Sequence, residues 1–427
     1  MTVPSSKRPV GHRSLLLHHL TTWKLVLPLG LFLAFQFWNL AVLWGTQSES
    51  HGALIVPNVN LTTKSLSTSS HGKDNVDRFS LRPLDEPALP KWMVEYLQWH
   101  SQEVKSLTSH NWRTKRYLVQ RCLASDGICA GLADRLGSLP NTLRIAHDSQ
   151  RIFLIHWEKP AMLEEFLIPP EKNVDLRLDW RLPPWLKRQM NLTNVKILRT
   201  KNALDRIING TESVVSVRQM HTFDYYRRIV LEEQQRNNGI KTEEPYHTVR
   251  ALWHAAFQPT PPVKKMIQNI MKELRVTPGQ YIATHIRTLY KDDRSTDGRL
   301  LMAAVDAANK MLPRPSCPLV VVSDALISTR VAVEYGQVNL RGRTVVGRLG
   351  NESAPVEQQT LHLDKGKNFL KSITKDVNKR PTSDFFDIFV DLYILANAQC
   401  VAFGVGGFGR LGSQLAHNVD CTSSAYA

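Results

Sequence analysis

The sequence predicts an α/β protein built from two doubly wound halves that face each other. Two series of strand-like apolar segments alternate with amphipathic helical patterns, one within residues 113–260 and one within residues 261–427. Alternation of this kind is typical of parallel sheets covered by helices. A third observation concerns the amino-terminal end, where a basic segment precedes an uncharged apolar stretch and a polar region. We therefore expect one transmembrane helix and a disordered stem before the two halves.

Composition supports a folded chain and excludes several classes of protein. The 427 residues are 42% hydrophobic and 22% charged, which excludes a collagen, a mucin and a wholly disordered chain. Five cysteines are too few for a disulfide-built scaffold, and their odd number leaves at least one thiol unpaired within the monomer. Cys122 with Cys129 and Cys400 with Cys421 are candidate pairs, and the connectivity otherwise stays open.

Residues 1–24 are predicted to form a cytosolic tail, and residues 25–45 a transmembrane signal anchor. The tail is basic and contains no acidic residue, and the stretch behind it carries no charge. About 20 apolar residues span the hydrocarbon core of a bilayer, and the basic flank places the amino terminus in the cytosol. The alternative is a cleaved signal peptide, but its apolar region is shorter, about 7–15 residues, and no clear cleavage site follows here.

Residues 46–112 are predicted to form the stem. As far as about Pro90 this region is rich in Ser, Thr, Asn and His and has few large apolar residues. It therefore buries too little apolar surface to offset the entropy of ordering. A helix is expected near its end, over Lys91–Thr108, where Trp92 and Tyr96 belong to an apolar side.

The formal charge of +16 does not indicate a nucleic-acid-binding protein. Part of the excess belongs to the cytosolic tail, and the rest is scattered without a basic tract interleaved with aromatic residues. A lumenal body also meets no nucleic acid. Four glycosylation sequons agree with a lumenal body, at Asn60, Asn191, Asn209 and Asn351.

The first half, residues 113–260, begins with a βαβ pattern, which implies a parallel sheet. Its remainder is less regular. The predicted strands are Arg116–Cys122 and Arg151–Trp157, separated by a loop and helix over Gly131–Gln150, and later helices are expected near Met220–Asn237 and His247–Phe257.

The second half, residues 261–427, alternates four helices with four strands, which is the pattern of a doubly wound domain. The predicted helices are Pro261–Arg275, Asp297–Leu312, Ala325–Tyr335 and Ser383–Ala398. The predicted strands are Gln280–Ile286, Pro318–Asp324, Arg343–Arg348 and Gln399–Gly404. A cleft between the halves is the natural place for a ligand.

His285 and Arg287 stand at the end of the first strand of the second half. Because side chains alternate along a strand, the two project from the same face, at the carboxyl edge where open α/β sheets bind ligands. An arginine offers a fork of donors that suits phosphate oxygens. A charged cluster follows, Lys291–Arg294. The alternative is a solvated loop whose ion pairs satisfy one another.

Ser323 and Asp324 end the next strand at the same edge. The Asp324 carboxylate is able to accept from the N–H groups of a guanine or from ribose hydroxyls. Equally, either residue is suited to cap the helix that follows.

The last strand ends in a glycine-rich turn that contains Gly404, Gly406, Gly407, Phe408 and Gly409. A dinucleotide fingerprint needs a complete βαβ unit with an acid about 20 residues further on, and too little chain follows, so we reject NAD or FAD. Glycines and a helix start still favour an anion. The alternative is a close-packed turn without a ligand.

The equivalent turn of the first half contains Gly131, Asp134 and Arg135 and is expected to face the cleft from the opposite wall. On the last helix, Asp391 is a candidate for orienting a cleft arginine, whereas Asp384 and Asp387 fit a solvated face. Recognisable magnesium, manganese and zinc motifs are absent from the sequence, so no metal is expected. The phosphate loop and the nucleophile elbow are absent too.

Together these segments resemble the GDP-fucose-dependent fucosyltransferase superfamily, which includes core, plant-type and protein O-fucosyltransferases. Gly131–Leu136 resembles its Gly-x-Gly-[Asn/Asp]-[Arg/Gln] turn, and His285–Arg287 is similar to its His-x-Arg motif. Val322–Asp324 resembles its strand ending in [Thr/Ser]-Asp, and Asp391–Gly409 resembles its closing helix, strand and turn. The resemblance covers roughly residues 116–421.

The resemblance implies a GT-B arrangement of two facing Rossmann-type domains that inverts the anomeric centre without a metal or cofactor. It implies that Arg287 binds the leaving β-phosphate, that His285 holds the donor and that Asp324 contacts the nucleoside. Lys291 falls where some members have a functional lysine, and Asp292 and Asp293 are candidates for a base. The implied donor-binding set is Gly131, Asp134, Arg135, His285, Arg287, Ser323, Asp324, Gly404, Gly406, Gly407 and Phe408.

We therefore expect a single-pass type II Golgi enzyme that transfers fucose from GDP-fucose to a glycan or glycoprotein acceptor. One alternative is a catalytically inactive relative that binds glycans or acts as a scaffold. Another is a Golgi sulfotransferase, which needs a phosphate loop with a lysine where this chain has Gly131–Pro140. No pattern indicates the acceptor or the oligomeric state.

Overall fold

Four parallel strands form the sheet of the first half. The computed structural model describes residues 89–126, 129–171, 176–193, 195–196, 201–218, 225–237, 245–288, 298–312, 314–348, 363 and 381–423, all within the unit Asp74–Ala427. The strand order is β2-β1-β5-β4, and Tyr117 of β1 lies opposite Ile152 of β2 and Val214 of β5. The strands are β1 (Tyr117–Cys122), β2 (Ile152–Trp157), β4 (Val195–Lys196) and β5 (Val214–Val217).

Helix α1 (Lys91–Lys105) covers the outer edge of β2. The Tyr96 hydroxyl donates to the Arg151 carbonyl at 2.8 Å and accepts from the Phe153 N–H at 3.2 Å, and His100 Nε2 lies 2.9 Å from the Phe153 carbonyl. An edge strand otherwise leaves such groups unpaired. The predicted helix is thus confirmed, and it packs on the first sheet although the sequence assigns it to the stem.

Helices connect and cover the strands of the first half. They are α2 (Leu132–Leu136), α3 (Leu139–Asp148), α4 (Pro184–Lys187), α5 (Lys201–Ile208), α6 (Tyr225–Arg236) and α7 (Pro245–Ala256). A short antiparallel pair, β3 (Leu167–Ile168) and β6 (Gln258–Pro259), closes this half beside α7. The predicted helices of the irregular stretch correspond to α6 and α7 and are confirmed.

Five parallel strands form the second sheet, in the order β11-β10-β7-β8-β9. His285 of β7 lies between Phe403 of β10 and Val322 of β8, so the carboxyl ends of the three strands meet at one edge. The strands are β7 (Ile282–Ile286), β8 (Leu319–Ser323), β9 (Val345–Gly347), β10 (Cys400–Phe403) and β11 (Thr422–Ser423). The helices are α8 (Pro261–Glu273), α9 (Gly298–Met311), α10 (Leu326–Asn339), α11 (Phe386–Ala396) and α12 (Gly407–Leu415). All four predicted strands and helices are confirmed.

The two halves share one hydrophobic core along α11. The Phe166 ring of the first half stacks on the Phe389 ring with 4.5 Å between centroids. The Trp253 indole of α7 donates to the Tyr393 hydroxyl at 3.4 Å. Because a shared core of aromatic rings resists sliding, the two sheets keep a fixed relation across their common face.

Two disulfides join the candidate pairs named from the sequence, Cys122 with Cys129 and Cys400 with Cys421. Cys317 is a buried thiol without a disulfide. Burial raises the pKa of the Cys317 thiol, so it stays protonated and unreactive. The expectation of one thiol left over is confirmed.

Several predictions fall outside the described residues. These include the tail and anchor at residues 1–45, the stem as far as residue 88, and the sequons at Asn60 and Asn351. In the part of the chain that the structure describes, every helix is too short or too polar to cross a membrane. The domain limits stay a prediction.

Candidate functional site

His285 and Arg287 are brought to the carboxyl edge of the second sheet by β7. His285 is 5% exposed, and its ring lies 5.1 Å from the ring of Phe408 between centroids. Arg287 follows directly after the last residue of β7 and is only partly buried. The strand alternation that predicts a common face for the two side chains is confirmed by their shared neighbour, the glycine turn that follows β10.

That turn, Gly404–Gly409, has glycines at the positions that His285 and Arg287 approach. Gly406 has a φ of +105°, a conformation that L side chains rarely adopt, and a β carbon there would collide with the Arg287 guanidinium. A β carbon on Gly409 would lie 2.8 Å from His285 Nδ1. The turn therefore requires glycine at both positions, and α12 begins beside Arg287 with its first backbone N–H groups.

The turn Gly131–Asp134 of the first half faces this second turn. A β carbon on Gly407 would lie 3.3 Å from the β carbon of Ala133 and 3.6 Å from Asp134 Oδ1. The Asp134 carboxylate also accepts the Gly131 N–H at 3.2 Å, which stabilises the start of α2. The structure thus brings eight of the predicted site residues together where the two turns meet, namely Gly131, Asp134, His285, Arg287, Gly404, Gly406, Gly407 and Phe408. Their role in donor binding stays a prediction.

Arg135 does not point to the place where the two turns meet. Its side chain is 1% exposed and points into the first half, where Nε donates to the Ala130 carbonyl at 2.8 Å and Nη1 to the Lys159 carbonyl at 2.7 Å. The guanidinium also lies 4.8 Å from the centre of the Trp157 ring. The sequence groups Arg135 with the donor-binding residues, and this geometry corrects that grouping. Because the guanidinium donates to carbonyls inside the first half, it stabilises the turn and does not point to a donor.

Asp324 and Ser323 connect the ends of β7 and β8. Asp324 Oδ1 accepts the Thr288 N–H at 2.9 Å and the Thr288 hydroxyl at 3.1 Å, and Asp324 is 5% exposed. Ser323 Oγ accepts the Ala325 N–H at 3.3 Å. Asp324 therefore fixes the residue after Arg287, while Ser323 bonds the residue that precedes α10. Both roles hold the edge of the sheet in place.

Arg348 was missed by the sequence reasoning. It follows β9 at the same edge, and its guanidinium lies 2.5 Å from Asp387 Oδ1 and 3.7 Å from Asp391 Oδ1. Burial opposes the charged form, but Asp391 and Asp387 outweigh it and raise the pKa of Arg348. Asp391, the candidate for orienting a cleft arginine, thus pairs with Arg348, but the nearer partner is Asp387, which the sequence assigns to a solvated face. The signal was available, because Gly347-Arg348 repeats the strand-to-arginine step of Ile286-Arg287.

Lys291, Asp292 and Asp293 lie outside the described residues. Within the described ranges, no group of three or more His, Cys, Asp and Glu side chains is placed to hold a metal ion. The metal-free reaction stays a prediction. The asparagines of the two described sequons, Asn191 and Asn209, are exposed. Asn191 Oδ1 accepts from the Thr193 hydroxyl at 2.6 Å.

Comparison with known proteins finds likeness in structure only. No protein-family model and no curated protein matches the chain. An arginine-to-lysine mutant of Arabidopsis thaliana FUT1, solved in complex with GDP, superimposes with a TM-score of 0.53 at 11% identity over 80% of each chain. The chain has the fold of this plant protein. This confirms the predicted α/β class and, in fold, the predicted resemblance to GDP-fucose-dependent fucosyltransferases.

The fucosyltransferase NodZ from Bradyrhizobium is a weaker match. Its TM-score is 0.41 at 14% identity, over 71% of this chain and 93% of NodZ. The NodZ α-1,6-fucosyltransferase soaked with GDP-fucose gives the same values. Overlap at this level adds no argument about the site.

Proposed function

We propose that this chain is a membrane-anchored fucosyltransferase that transfers fucose from GDP-fucose to a glycan or glycoprotein acceptor. The observation that carries the proposal is the seat of Arg287 against Gly406, at the carboxyl edge of the second sheet and beside the start of α12. A fixed cation next to helix N–H groups suits a diphosphate. The fold, shared with plant FUT1, supports the same assignment.

The reaction needs stabilisation of a leaving group. As the acceptor oxygen bonds to the anomeric carbon from the opposite face, the bond to GDP breaks and its electron pair stays on the β-phosphate. Arg287 and the backbone N–H groups at the start of α12 neutralise that charge, since fixed donors are most effective where charge develops. Inversion follows from a single displacement. The acceptor proton passes to a base, for which Asp292 and Asp293 are the candidates.

Donor recognition is assigned to the same edge. His285 packs between Phe408 and Gly409 and so presents one fixed face to the donor. Asp324 is proposed to contact the nucleoside through the carboxylate whose Oδ1 also accepts from Thr288. Lys291 is proposed as a further cation near the phosphates.

The cellular context is proposed from the sequence. The uncharged stretch at residues 25–45 behind a basic tail supports a type II anchor, and the exposure of Asn191 and Asn209 suits glycosylation in a lumen. Two disulfides agree with an oxidising compartment such as the secretory pathway. We infer a Golgi membrane enzyme whose body lies in the lumen.

A nucleotide panel followed by turnover tests the proposal. Full-length protein purified in detergent is expected to gain thermal stability with GDP, but not with UDP, CMP or adenosine 3′,5′-bisphosphate. It is expected to release GDP from GDP-fucose. Arg287→Ala is expected to lower kcat about 10²- to 10³-fold with folding retained, as for other fixed donors at developing charge. Arg330→Ala, at an exposed position on α10, is the matched control.

Other outcomes identify the alternatives. Stabilisation by adenosine bisphosphate alone would indicate a sulfotransferase. Binding of GDP or glycans without any turnover by the wild type would indicate an inactive relative. A wild type that ignores every nucleotide and every acceptor contradicts the proposal outright.

A further inference from the structure

The segment between β1 and the turn Gly131–Asp134 is tied at both ends. Cys122 is the last residue of β1, and its disulfide to Cys129 returns the chain to the strand end two residues before the turn. Ala130, between the disulfide and Gly131, has a φ of +65°. A residue with a β carbon is strained in this conformation, and such strain persists only where the surroundings over-determine it.

Arg135 makes several of the contacts that hold Ala130 in this conformation. Its Nε donates to the carbonyls of Cys129 at 3.2 Å and Ala130 at 2.8 Å, and Nη1 donates to Lys159 at 2.7 Å. A buried charge is costly unless it is paired, so moving the guanidinium away from these three carbonyls would be unfavourable. The same hydrogen bonds therefore fix both Arg135 and the backbone of Cys129 and Ala130. The strained Ala130 is therefore fixed on one side by the disulfide and on the other by Arg135.

A second set of contacts supports the loop from the strand side. Arg121 pairs with Asp126 at 3.2 Å, and both side chains are buried. The Asp126 carboxylate accepts the Leu123 N–H at 2.7 Å, and Glu158 Oε2 accepts the Ala124 N–H at 2.8 Å. The described part of the loop is thus bonded to β1 and to the end of β2, while the turn beyond it faces Gly407.

We propose that the Cys122–Cys129 disulfide and Arg135 position the turn Gly131–Asp134 for donor binding. They touch no donor themselves; they act through the backbone of the turn, which lies against Gly407. The inference rests on the proposed function, because it takes the place where the two turns meet, beside Arg287, as the donor site. Loss of either support weakens donor binding in a chain that still folds, and the enzyme reaches full affinity only after this disulfide has formed.

The test compares the two disulfides of the chain. Full-length protein with Cys122→Ser and Cys129→Ser is set against a matched control with Cys400→Ser and Cys421→Ser, which removes the disulfide between the amino end of β10 and the segment before β11. Both pairs are expected to lower the melting temperature. Only the first is expected to raise the Kd for GDP, about tenfold or about 1.4 kcal/mol, and to speed hydrogen exchange of the amides at 130–136.

Arg135→Lys is the second variant. A lysine keeps the charge but loses the fork that reaches three carbonyls, so the same two readouts are expected to move in the same direction. An unchanged Kd in both variants, with a wild type that binds GDP, overturns the proposal. So does an equal change in the control pair, or failure of both variants to fold.

A wrong assignment of the donor gives a different experimental result from a wrong positioning role. If the wild type does not bind GDP, the donor assignment is wrong, and hydrogen exchange of the amides at 130–136 still decides whether the disulfide and Arg135 hold the turn. Exchange that is unchanged in both variants then rejects the positioning role as well.

Discussion

The two glycine turns that pack against each other at the candidate site hold their shapes by opposite means. In Gly404–Gly409 the shape depends on side chains that are missing, because Gly406 and Gly409 leave the space that Arg287 and His285 occupy. In Gly131–Asp134 it depends on side chains that are present, namely a disulfide and Arg135 behind the turn.

The difference shows that similar-looking glycine turns are sensitive to different changes. The turn Gly404–Gly409 is expected to lose its shape when a methyl group is added at Gly406 or Gly409, since there is no room for one. The turn Gly131–Asp134 is expected to tolerate a methyl group at Gly131 and to lose its shape when the disulfide or Arg135 is removed.

Gly406→Ala is expected to cause the largest loss. The added β carbon would lie 3.0 Å from Arg287 Cδ and closer still to its guanidinium, so the arginine has to leave its seat. We expect kcat for GDP release to fall about 10²- to 10³-fold, the usual result of losing a fixed donor at developing charge. Steady-state kinetics with GDP-fucose measure it.

Gly342→Ala is the control for backbone strain. Gly342 has a φ of +77°, but a β carbon there meets only Pro315, at 3.7 Å. Both variants are expected to lose about 1–3 kcal/mol of stability from the strained φ, and only Gly406→Ala is expected to lose activity. Equal activity in the two would show that Arg287 does not depend on the turn.

Acidification is expected to weaken the first half. Burial lowers the pKa of His100 from 6.5 to about 4, so the imidazole stays neutral in the fold. The unfolded chain takes up a proton near pH 6.5, and the unfolding free energy therefore falls as the pH drops from about 6.5 to about 4, by up to about 3 kcal/mol for this residue. Urea unfolding at several pH values measures the change.

His100→Gln is expected to flatten that pH dependence, with His110→Gln at an exposed position as its control. The slope that remains belongs to other groups. They include the partly buried His254 and His417, whose pKa values burial lowers to about 3 and about 4, and carboxylates with lowered pKa values such as Asp148 and Asp179. A wild-type stability that does not change between pH 7 and pH 4.5 would contradict the prediction.

Gly409→Ala is expected to act on the donor rather than on the leaving group. Its β carbon would lie 2.7 Å from Phe403 Cβ and 2.8 Å from His285 Nδ1. Displacement of the imidazole is expected to raise KM for GDP-fucose about tenfold, a loss of about 1.4 kcal/mol. Gly412→Ala on the same helix would meet Leu395 at 2.6 Å instead. Both are expected to lower the melting temperature through overpacking, but an increase in KM for Gly412→Ala would argue against a specific role of His285.

Gly131→Ala is expected to have the smallest effect. Its φ is −72°, which any residue adopts, and the nearest atom to a β carbon is Asp134 Oδ2 at 3.6 Å. We expect KM to change less than about twofold and stability to change within about 0.5 kcal/mol. A large increase in KM for this variant would mean that the donor itself passes against Gly131, as the resemblance implies.

Much of the fold follows from patterns that are local in the chain. Buried parallel strands read as continuous apolar runs, and β7, β8 and β10 are therefore recognisable with their polar or glycine-rich ends. The strands β4 and β5 were not predicted. Each is short, and β5 forms because Val214 pairs with Tyr117 of β1, a contact that no local periodicity records.

The site was predictable in its position more than in its detail. Carboxyl ends of parallel strands meet at one edge, so His285, Arg287 and Asp324 fall together. Arg135 shows the limit of such reasoning. Successive side chains on a helix point about 100° apart, so Asp134 turns to the cleft while its neighbour turns to the core. Which of the two side chains points outward depends on how α2 is rotated about its axis when it packs. No local pattern in the sequence predicts that rotation.

The contact of α1 with β2 decides where the chain is safely shortened. A fragment that begins at residue 113 would remove Tyr96 and His100 and leave the N–H and C=O of Phe153 open at the sheet edge. An open edge is a template for strand addition between copies, so such a fragment is prone to associate and precipitate. A shortened form of the protein therefore has to keep the chain from Leu89 onward, which retains the whole of α1.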